Sequence, residues 1–469
     1  MAFSNCASPL QSQATRHTRL LRMQKVVVIV GAGFSGTLTA INLLSLSSDL
    51  KVYLIDRRGV FGAGLAYAPP SDRFKLNVRA HAMGALPDQP EGFFDWLQRE
   101  NVPASKNDFV SRRWYGRYLE SLLDDVAQKT GAGRLYRIAD EVVDIERDLT
   151  SKRYSVRCLS HTTIDADACI IAIGNLMRRG FGDARARCAH DPFSPETYAG
   201  LPTKRSICIL GSSLTAVDAI MHCEGEGFNG IYTVISRHGR FPLPHEDPSA
   251  VGKVELPDDW EKCGSVAKLL TMVRKYARPR GTSQPVIDAM RPKLQQMWRH
   301  LSLKERRRFL RHVKPYWEIH RHRVPVEHSQ MIHSLQASGR LHIVPATIKS
   351  VSNKNSHVEV ELCSRAGQEI RSFDVAIMCA GPEGNIEKIE QALPEHLLKR
   401  GFLRAGALGL GVEQIEEQRR EGFFLIGPLQ REELWEITAV RELREEAHKV
   451  AHNVVSFLSG ECVGAGLVE

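Results

Sequence analysis

Polar residues drop out of this chain in short runs, and several of those runs stop at a glycine. Val26 to Val30 meets Gly31, Cys169 to Ile173 meets Gly174, Ile207 to Leu210 meets Gly211, and Phe423 to Ile426 meets Gly427. An uninterrupted apolar run of this length between turn residues predicts a strand buried on both faces, as in a parallel sheet. The first and third runs then change period: "FSGTLTAINLL" follows Gly33, and Val217, Ile220 and Met221 recur at helical spacing after Ala216. Strand, glycine turn and helix therefore occur twice.

Between the two units, "YSVRCLSHTTIDADACIIAIGN" predicts a β-hairpin feeding the strand 169–173. Later, "FDVAIMCAGP" at 373–382 is a buried strand ending in an Ala-Gly turn at Gly381. "GFFLIGPLQ" gives a last strand, and "REELWEITAVRELREEAHKVAHNVVSFL" predicts a long helix with Trp435, Val440 and Leu443 on related faces. Residues 255–340 read as helices, with Phe309, Leu310, Val313 and Trp317 on one face. The expected fold is α/β, with two Rossmann-like dinucleotide-binding domains, one inserted in the other. The outer, discontinuous domain takes residues 25–200 and 385–469; the inner one takes 201–384 and carries the helical insertion at about 255–340.

The turns carry the chemistry. "GAGFSG" spells G-x-G-x-x-G with Gly31, Gly33 and Gly36 around Phe34 and Ser35. Such glycines allow a tight turn, close approach of a pyrophosphate and close helix packing, while the helix N-terminus presents N–H donors. "KVYLID" forms the next strand and ends at Asp56, twenty residues past Gly36, where a carboxylate can accept ribose hydroxyls; Arg57 follows it. The second turn has Gly211 and Ala216, but Ser213 stands at the middle glycine, beside Leu214 and Thr215. At the matching strand end it offers Ser236, Arg237 and His238 in place of an acid, which suits a 2′-phosphate and hence NADPH.

Composition changes the picture little. The net charge of +9 resides in one segment: from Arg291 to Pro325 there are eleven Lys or Arg against two Glu. No recognised nucleic-acid module accompanies it, so a solvated face or a funnel steering an anionic cofactor is expected, with no nucleic-acid partner. Ten scattered cysteines, the nearest pair being Cys158 and Cys169, point to a reducing, cytoplasmic setting without a dithiol or metal motif. No apolar run approaches a membrane span. Residues 1–24 carry Arg16, Arg19 and Arg22 without an acid, and read as a disordered basic tail or a presequence.

Taken in order, "GAGLAYAP", "FKLNVRAHAMG", "DFVSRRWYGRYL", "GSSLTAVDAI", "RFLRHVKPYWEIHRHRVP" and "LWEITAVRELREEA" resemble the bacterial FAD/NAD(P)-binding protein family over roughly residues 25–457. That family is similar in turn to flavin-dependent N-hydroxylating and Baeyer–Villiger monooxygenases. The linker "RCAHDPFSPETYAGLP" does not spell the Baeyer–Villiger F-x-G-x-x-x-H fingerprint. The resemblance implies FAD in the first turn and NADPH in the second. It adds Tyr67, Arg113, Val142, Ala172, Gly174, Asn175, Gly381, Gly427, Trp435 and Thr438 to the cofactor-binding set. It also implies oxygenation of a small molecule by molecular oxygen through a C4a-hydroperoxyflavin. The cofactor then carries the hard chemistry, and few acid–base residues are needed. Asn77 in "KLNVRA" is the candidate nearest the reacting atom, a neutral amide that can hydrogen-bond without acting as a strong acid. A flavin oxidase or dehydrogenase, and a flavin-bound redox sensor or interaction protein, remain the alternatives.

Overall fold

The computed structural model describes residues 24–176, 178, 180–181, 189–247 and 252–460. The basic segment 1–24 therefore lies outside the described residues, save Gln24.

Five parallel strands form the first sheet, in the order Phe423–Leu425, Ala168–Ile171, Lys25–Val30, Leu50–Asp56 and Leu135–Ala139. Four more form a second parallel sheet, in the order Leu341–Pro345, Ile231–Ser236, Ser206–Leu210 and Val375–Met378. The chain leaves the first sheet after Ile171, builds the second, and returns with Phe423 to pair beside Ala168–Ile171. The second Rossmann-like unit is thus nested in the first. Each carries an antiparallel three-stranded appendage, Val142–Arg147 with Tyr154–Cys158 and Thr163–Ala166 in one, Thr347–Asn353 with Val358–Ser364 and Gly367–Phe373 in the other.

The helix after the first turn, Phe34–Leu46, is buried from Phe34 to Leu44. It is apolar on all sides because the sheet lies on one side of it and the C-terminal helix Val440–Ser459 on the other. The second turn opens the helix Leu214–Gly225.

The region 255–340 is helical and has a core of its own, built on Trp260, Leu294, Trp298, Phe309 and Trp317. The C-terminal helix departs from expectation by starting at Val440 instead of near Arg431. Before it runs a 3₁₀ turn, Pro428–Glu432, and then Glu436 in the left-handed region at φ 69°. That conformation breaks a helix, and the break is held by side chains: the Glu436 carboxylate accepts the Trp317 indole N–H at 2.9 Å and lies 3.1 Å from Arg321. Trp435 is therefore off the helix, 2% exposed, and stacked on Trp298 with centroids 4.8 Å apart.

The positive segment divides: Lys293, Arg299, Lys304, Arg307, Arg308 and Arg311 are exposed, as on a solvated face, whereas Arg291, Arg306, Lys314, Arg321 and Arg323 are half-buried or buried. Arg291 makes a two-pronged pair with Glu442 at 2.8 and 2.9 Å, Arg321 meets Glu436, Lys293 meets Glu261 at 3.0 Å, and Arg323 pairs with Asp288. Arg291 and Arg321 join the helical insertion to the C-terminal part of the outer unit.

Candidate dinucleotide-binding site

The first turn shows which of its glycines the fold requires and which it does not. Gly31 has φ +104°, and a Cβ there would lie 2.4 Å from the Ala172 carbonyl oxygen. A Cβ on Gly36 would lie 1.9 Å from the Gly31 oxygen. Both are needed for the chain to pack at all. Gly33 is different: its backbone (φ −72°, ψ −169°) suits any residue, and a Cβ would meet only the Gly64 Cα, at an ordinary 3.7 Å. The protein itself does not require glycine at 33. The space it leaves opens on the large cleft, as a pyrophosphate cradle would. At the strand end, Asp56 accepts the Ala32 N–H at 3.2 Å and the Arg58 N–H at 2.9 Å, so the turn itself fixes its carboxylate.

The second turn repeats this construction. Gly211 has φ +111°, and a Cβ would lie 2.3 Å from the Cys379 carbonyl oxygen. Ser213 has almost the backbone of Gly33 (φ −89°, ψ −170°), so its side chain fills the slot that Gly33 leaves open. Its hydroxyl lies 3.5 Å from the Cys379 oxygen, and Thr215 faces the cleft. Ser236 is engaged by the protein: its hydroxyl accepts the Gly239 N–H at 3.1 Å and meets the Ser212 hydroxyl at 2.9 Å. Ser212 also donates to the Arg240 carbonyl at 2.6 Å, which ties the 236–240 loop to the glycine turn. Arg237 and His238 stay exposed on that loop. Partial burial, with Arg237, Arg240 and Lys314 around it, holds the His238 pKa below its ordinary value. Lys314 comes from the helical insertion.

A single cleft of about 1190 Å³ runs between the two units. Of the expected residues it is lined by Gly31, Gly33, Phe34, Ser35, Asp56, Arg57, Tyr67, Ala172, Gly174, Asn175, Thr215, Gly381 and Thr438. Val142 lies with Asp56 and Arg57 in an adjoining cavity of about 80 Å³. Gly36, Gly211, Ser213, Leu214, Ser236, Arg237, His238 and Gly427 are not among the residues lining the cleft. Gly427 takes φ +94° beside Ser35.

Three expected residues turn elsewhere. Trp435 lies in the insertion core, where its indole N–H has no hydrogen-bond partner among the described residues. Arg113 clamps the Pro69–Pro70 turn, donating to both carbonyls. Asn77 lies beside His245 and off the cleft wall: its carbonyl accepts the His245 Nε2–H at 2.9 Å. Burial holds His245 at about 4, so the ring stays neutral, with Arg323 and Arg79 pushing the same way.

The neighbour of Arg113 faces the cleft instead. Arg112 lines the cleft, and its Nη2 donates at 2.7 Å to Asp218, which is 5% exposed on the Leu214–Gly225 helix. This pair spans the two nucleotide-binding units. Burial raises the Asp218 pKa to about 6 against the pull of Arg112. Burial also raises the Tyr67 phenol to about 12, again opposed by Arg112. Deeper still, the fully buried Tyr115 hydroxyl has no hydrogen-bond partner among the described residues, and its ring packs against Tyr67 and Phe34 of the cleft wall. Arg58, Arg178, Thr197 and Pro428 also face the cleft without any motif announcing them.

A family model described as FAD-NAD(P)-binding matches residues 28–176. No curated protein sequence matches this chain. In fold it is similar to the reduced form of the ornithine hydroxylase PvdA from Pseudomonas aeruginosa, with 15% identity, a TM-score of 0.64, and 92% of this chain and 99% of that one covered. It is also similar to the ornithine N-hydroxylase KtzI of Kutzneria sp. 744, solved with reduced FAD, NADP+ and L-ornithine, with 14% identity, a TM-score of 0.62 and coverages of 92% and 98%. A third likeness is to DfoA bound to FAD, the cadaverine monooxygenase of the desferrioxamine pathway in Erwinia amylovora, with 13% identity, a TM-score of 0.59 and coverages of 94% and 96%. The first glycine turn lies within that match: residues 28–176 carry an FAD-NAD(P)-binding domain, and a second Rossmann-like unit, whose glycine turn repeats its construction, is nested with it.

Proposed function

We propose that this protein is an FAD-dependent, NADPH-consuming monooxygenase that uses molecular oxygen on a small molecule, an amine or amino acid hydroxylated at nitrogen. One observation supports this reading above the others: residues of both dinucleotide turns, Gly33 of the first and Thr215 of the second, line the same cleft. A hydride donor and a flavin held by those turns would share that cleft. Bound FAD supplies the redox chemistry. The chain's own work is to cradle the pyrophosphate at Gly33, hold the adenosine ribose at Asp56, read a 2′-phosphate with Arg237, and keep water from the reacting end. At that end Tyr67, Pro428 and Thr438 are the wall. The dithiol route is disfavoured by the cysteines, which are free among the described residues and mostly buried. The solved structures of similar fold act on ornithine and cadaverine, which sets the first compounds to try.

The test is NADPH consumption by the purified holoprotein against ornithine, lysine, cadaverine and related amines, with products analysed under ¹⁸O₂. Stimulated consumption with one labelled oxygen in the product is expected. Turnover without label would make the protein an oxidase or dehydrogenase. No stimulation by any small amine would remove the N-hydroxylating reading.

A further inference from the structure

The C-terminal helix Val440–Ser459 lies along the first glycine-turn helix, Phe34–Leu46. It carries two histidines, His448 and His452, one turn apart. Residues four apart on a helix share a face. Here that face is outward: His452 is exposed and His448 half-buried. Their Nε2 atoms are 3.2 Å apart, and the rings are inclined at 74°. The pair has no place in the cleft described above.

A neighbour fixes which nitrogen of His448 is free. The Asn42 side chain donates through Nδ2 to the Leu38 carbonyl at 2.7 Å, which leaves its Oδ1 facing His448 Nδ1 at 3.0 Å. An amide oxygen only accepts, so Nδ1 carries the hydrogen and Nε2 keeps its lone pair. A ligating imidazole is held this way, its other N–H donated to an oxygen that sets the ring's orientation. Two imidazole nitrogens at 2.0–2.1 Å from one tetrahedral ion lie roughly 3.3 Å apart. The observed separation of 3.2 Å matches that span. Without an ion, His452 donates its Nε2–H to His448; a change of His452 tautomer turns that hydrogen bond into a chelate.

We propose that His448 and His452 form a two-imidazole site for a divalent transition ion of the Zn²⁺, Ni²⁺ or Cu²⁺ class, with Asn42 as the residue that orients His448. No group of three ligating side chains occurs among the described residues, so water completes the coordination and the ion exchanges freely. The ion ties the C-terminal helix to the helix of the first glycine turn through Asn42, and binding to the folded state raises its thermal stability.

The experiment uses tag-free, chelator-treated full-length protein carrying its flavin. Cu²⁺ is followed by its visible ligand-field band, Zn²⁺ by competition, and the melting temperature with and without Zn²⁺. One saturable equivalent and a Zn²⁺-dependent rise in melting temperature are expected. His448→Ala and His452→Ala should each weaken binding at least tenfold and abolish the rise. His452 is exposed, so its variant keeps the fold, which the retained flavin spectrum verifies. Asn42→Ala, with both imidazoles still present, should weaken binding by about 10-fold, the effect of losing a residue that orients a ligand. Binding unchanged in His452→Ala, or no saturable site below about 1 mM ion, would overturn the proposal; unchanged affinity in Asn42→Ala would overturn the part assigned to Asn42.

Discussion

Gly33 and Ser213 share a backbone conformation and differ by one side chain, so each is the natural control for the other. Gly33→Ser should fold normally, since an added Cβ meets only Gly64 at van der Waals distance. It should nonetheless lose FAD, because the side chain enters the space reserved for the pyrophosphate. An unchanged apoprotein melting temperature with at least tenfold weaker FAD binding is the expected pair of results; normal FAD retention would mean that the cradle is misplaced. Asp56→Ala removes the ribose acceptor and should loosen FAD by about 1.5–3 kcal/mol, the scale of a hydrogen bond to a charged group. Equilibrium flavin titration reads that loss. In the second turn, Arg237 is exposed and makes no ion pair among the described residues, as a residue kept for a phosphate should be. Steady-state kinetics should show Arg237→Ala raising the KM for NADPH by roughly tenfold or more while leaving NADH nearly unaffected. An equal effect on both nucleotides would assign the 2′-phosphate to another residue. These local features could be read from the sequence because strand, turn and helix follow one another without a break. Arg112 and Arg113 could not be told apart that way. They are adjacent on one helix and point about 100° apart, so only the packing decides that Arg112 enters the cleft and Arg113 grips Pro69 and Pro70.

At the scale of elements, the Arg112–Asp218 pair joins the helix Arg112–Thr130 to the helix of the second glycine turn. Asp218 has a pKa of about 6 in the folded protein against an ordinary 3.8. A raised folded pKa means that the folded state holds the proton more tightly. The contribution of this carboxyl to stability is therefore fully present below about pH 3.8 and is lost as pH rises through about 6. Asp218→Asn has no charge to bury and should flatten that part of the melting-temperature curve between pH 4 and pH 7. A wild-type fall that persists in the variant would show that another group titrates. The C-terminal helix teaches the limit of periodicity. "LWEITAVRELREEA" keeps apolar spacing through residue 436, and nothing in the sequence marks Glu436 for the left-handed region. The break comes from tertiary contacts, the Trp317 indole and Arg321 on the carboxylate, so the helix begins four residues later and Trp435 turns into the insertion core. Asn77 sits beside cleft residues in sequence but is not among those lining the cleft, and its main-chain carbonyl is tied to His245 of the inner unit, a contact that no local pattern announces.

For the whole molecule, nesting means that the outer sheet is completed only after the inner unit has been made, when Phe423–Leu425 pairs beside Ala168–Ile171. Thr438 and Leu443, from that returning segment, line the same cleft as the first turn. The cleft therefore holds both Asp56 and Arg57, the adenosine end in the proposed reading, and residues contributed by the far end of the chain. A cofactor lacking the adenosine half would leave Gly33 and Asp56 without a ligand and could not reach both ends. The chromophore extracted from the purified protein should thus be FAD. Trp435→Ala adds a check on the far wall. Emptying a fully buried indole site costs about 3–5 kcal/mol, and because Thr438 lies three residues on, the damage should reach the flavin as well as the fold. Thermal melts should fall, and the flavin spectrum, which reports the polarity around the ring, should shift at temperatures where the variant is still folded. FMN in the extract would displace the first turn as the flavin's anchor. A destabilised variant with an unaltered flavin spectrum would separate the returning segment from the cofactor and leave the insertion core with a purely structural part.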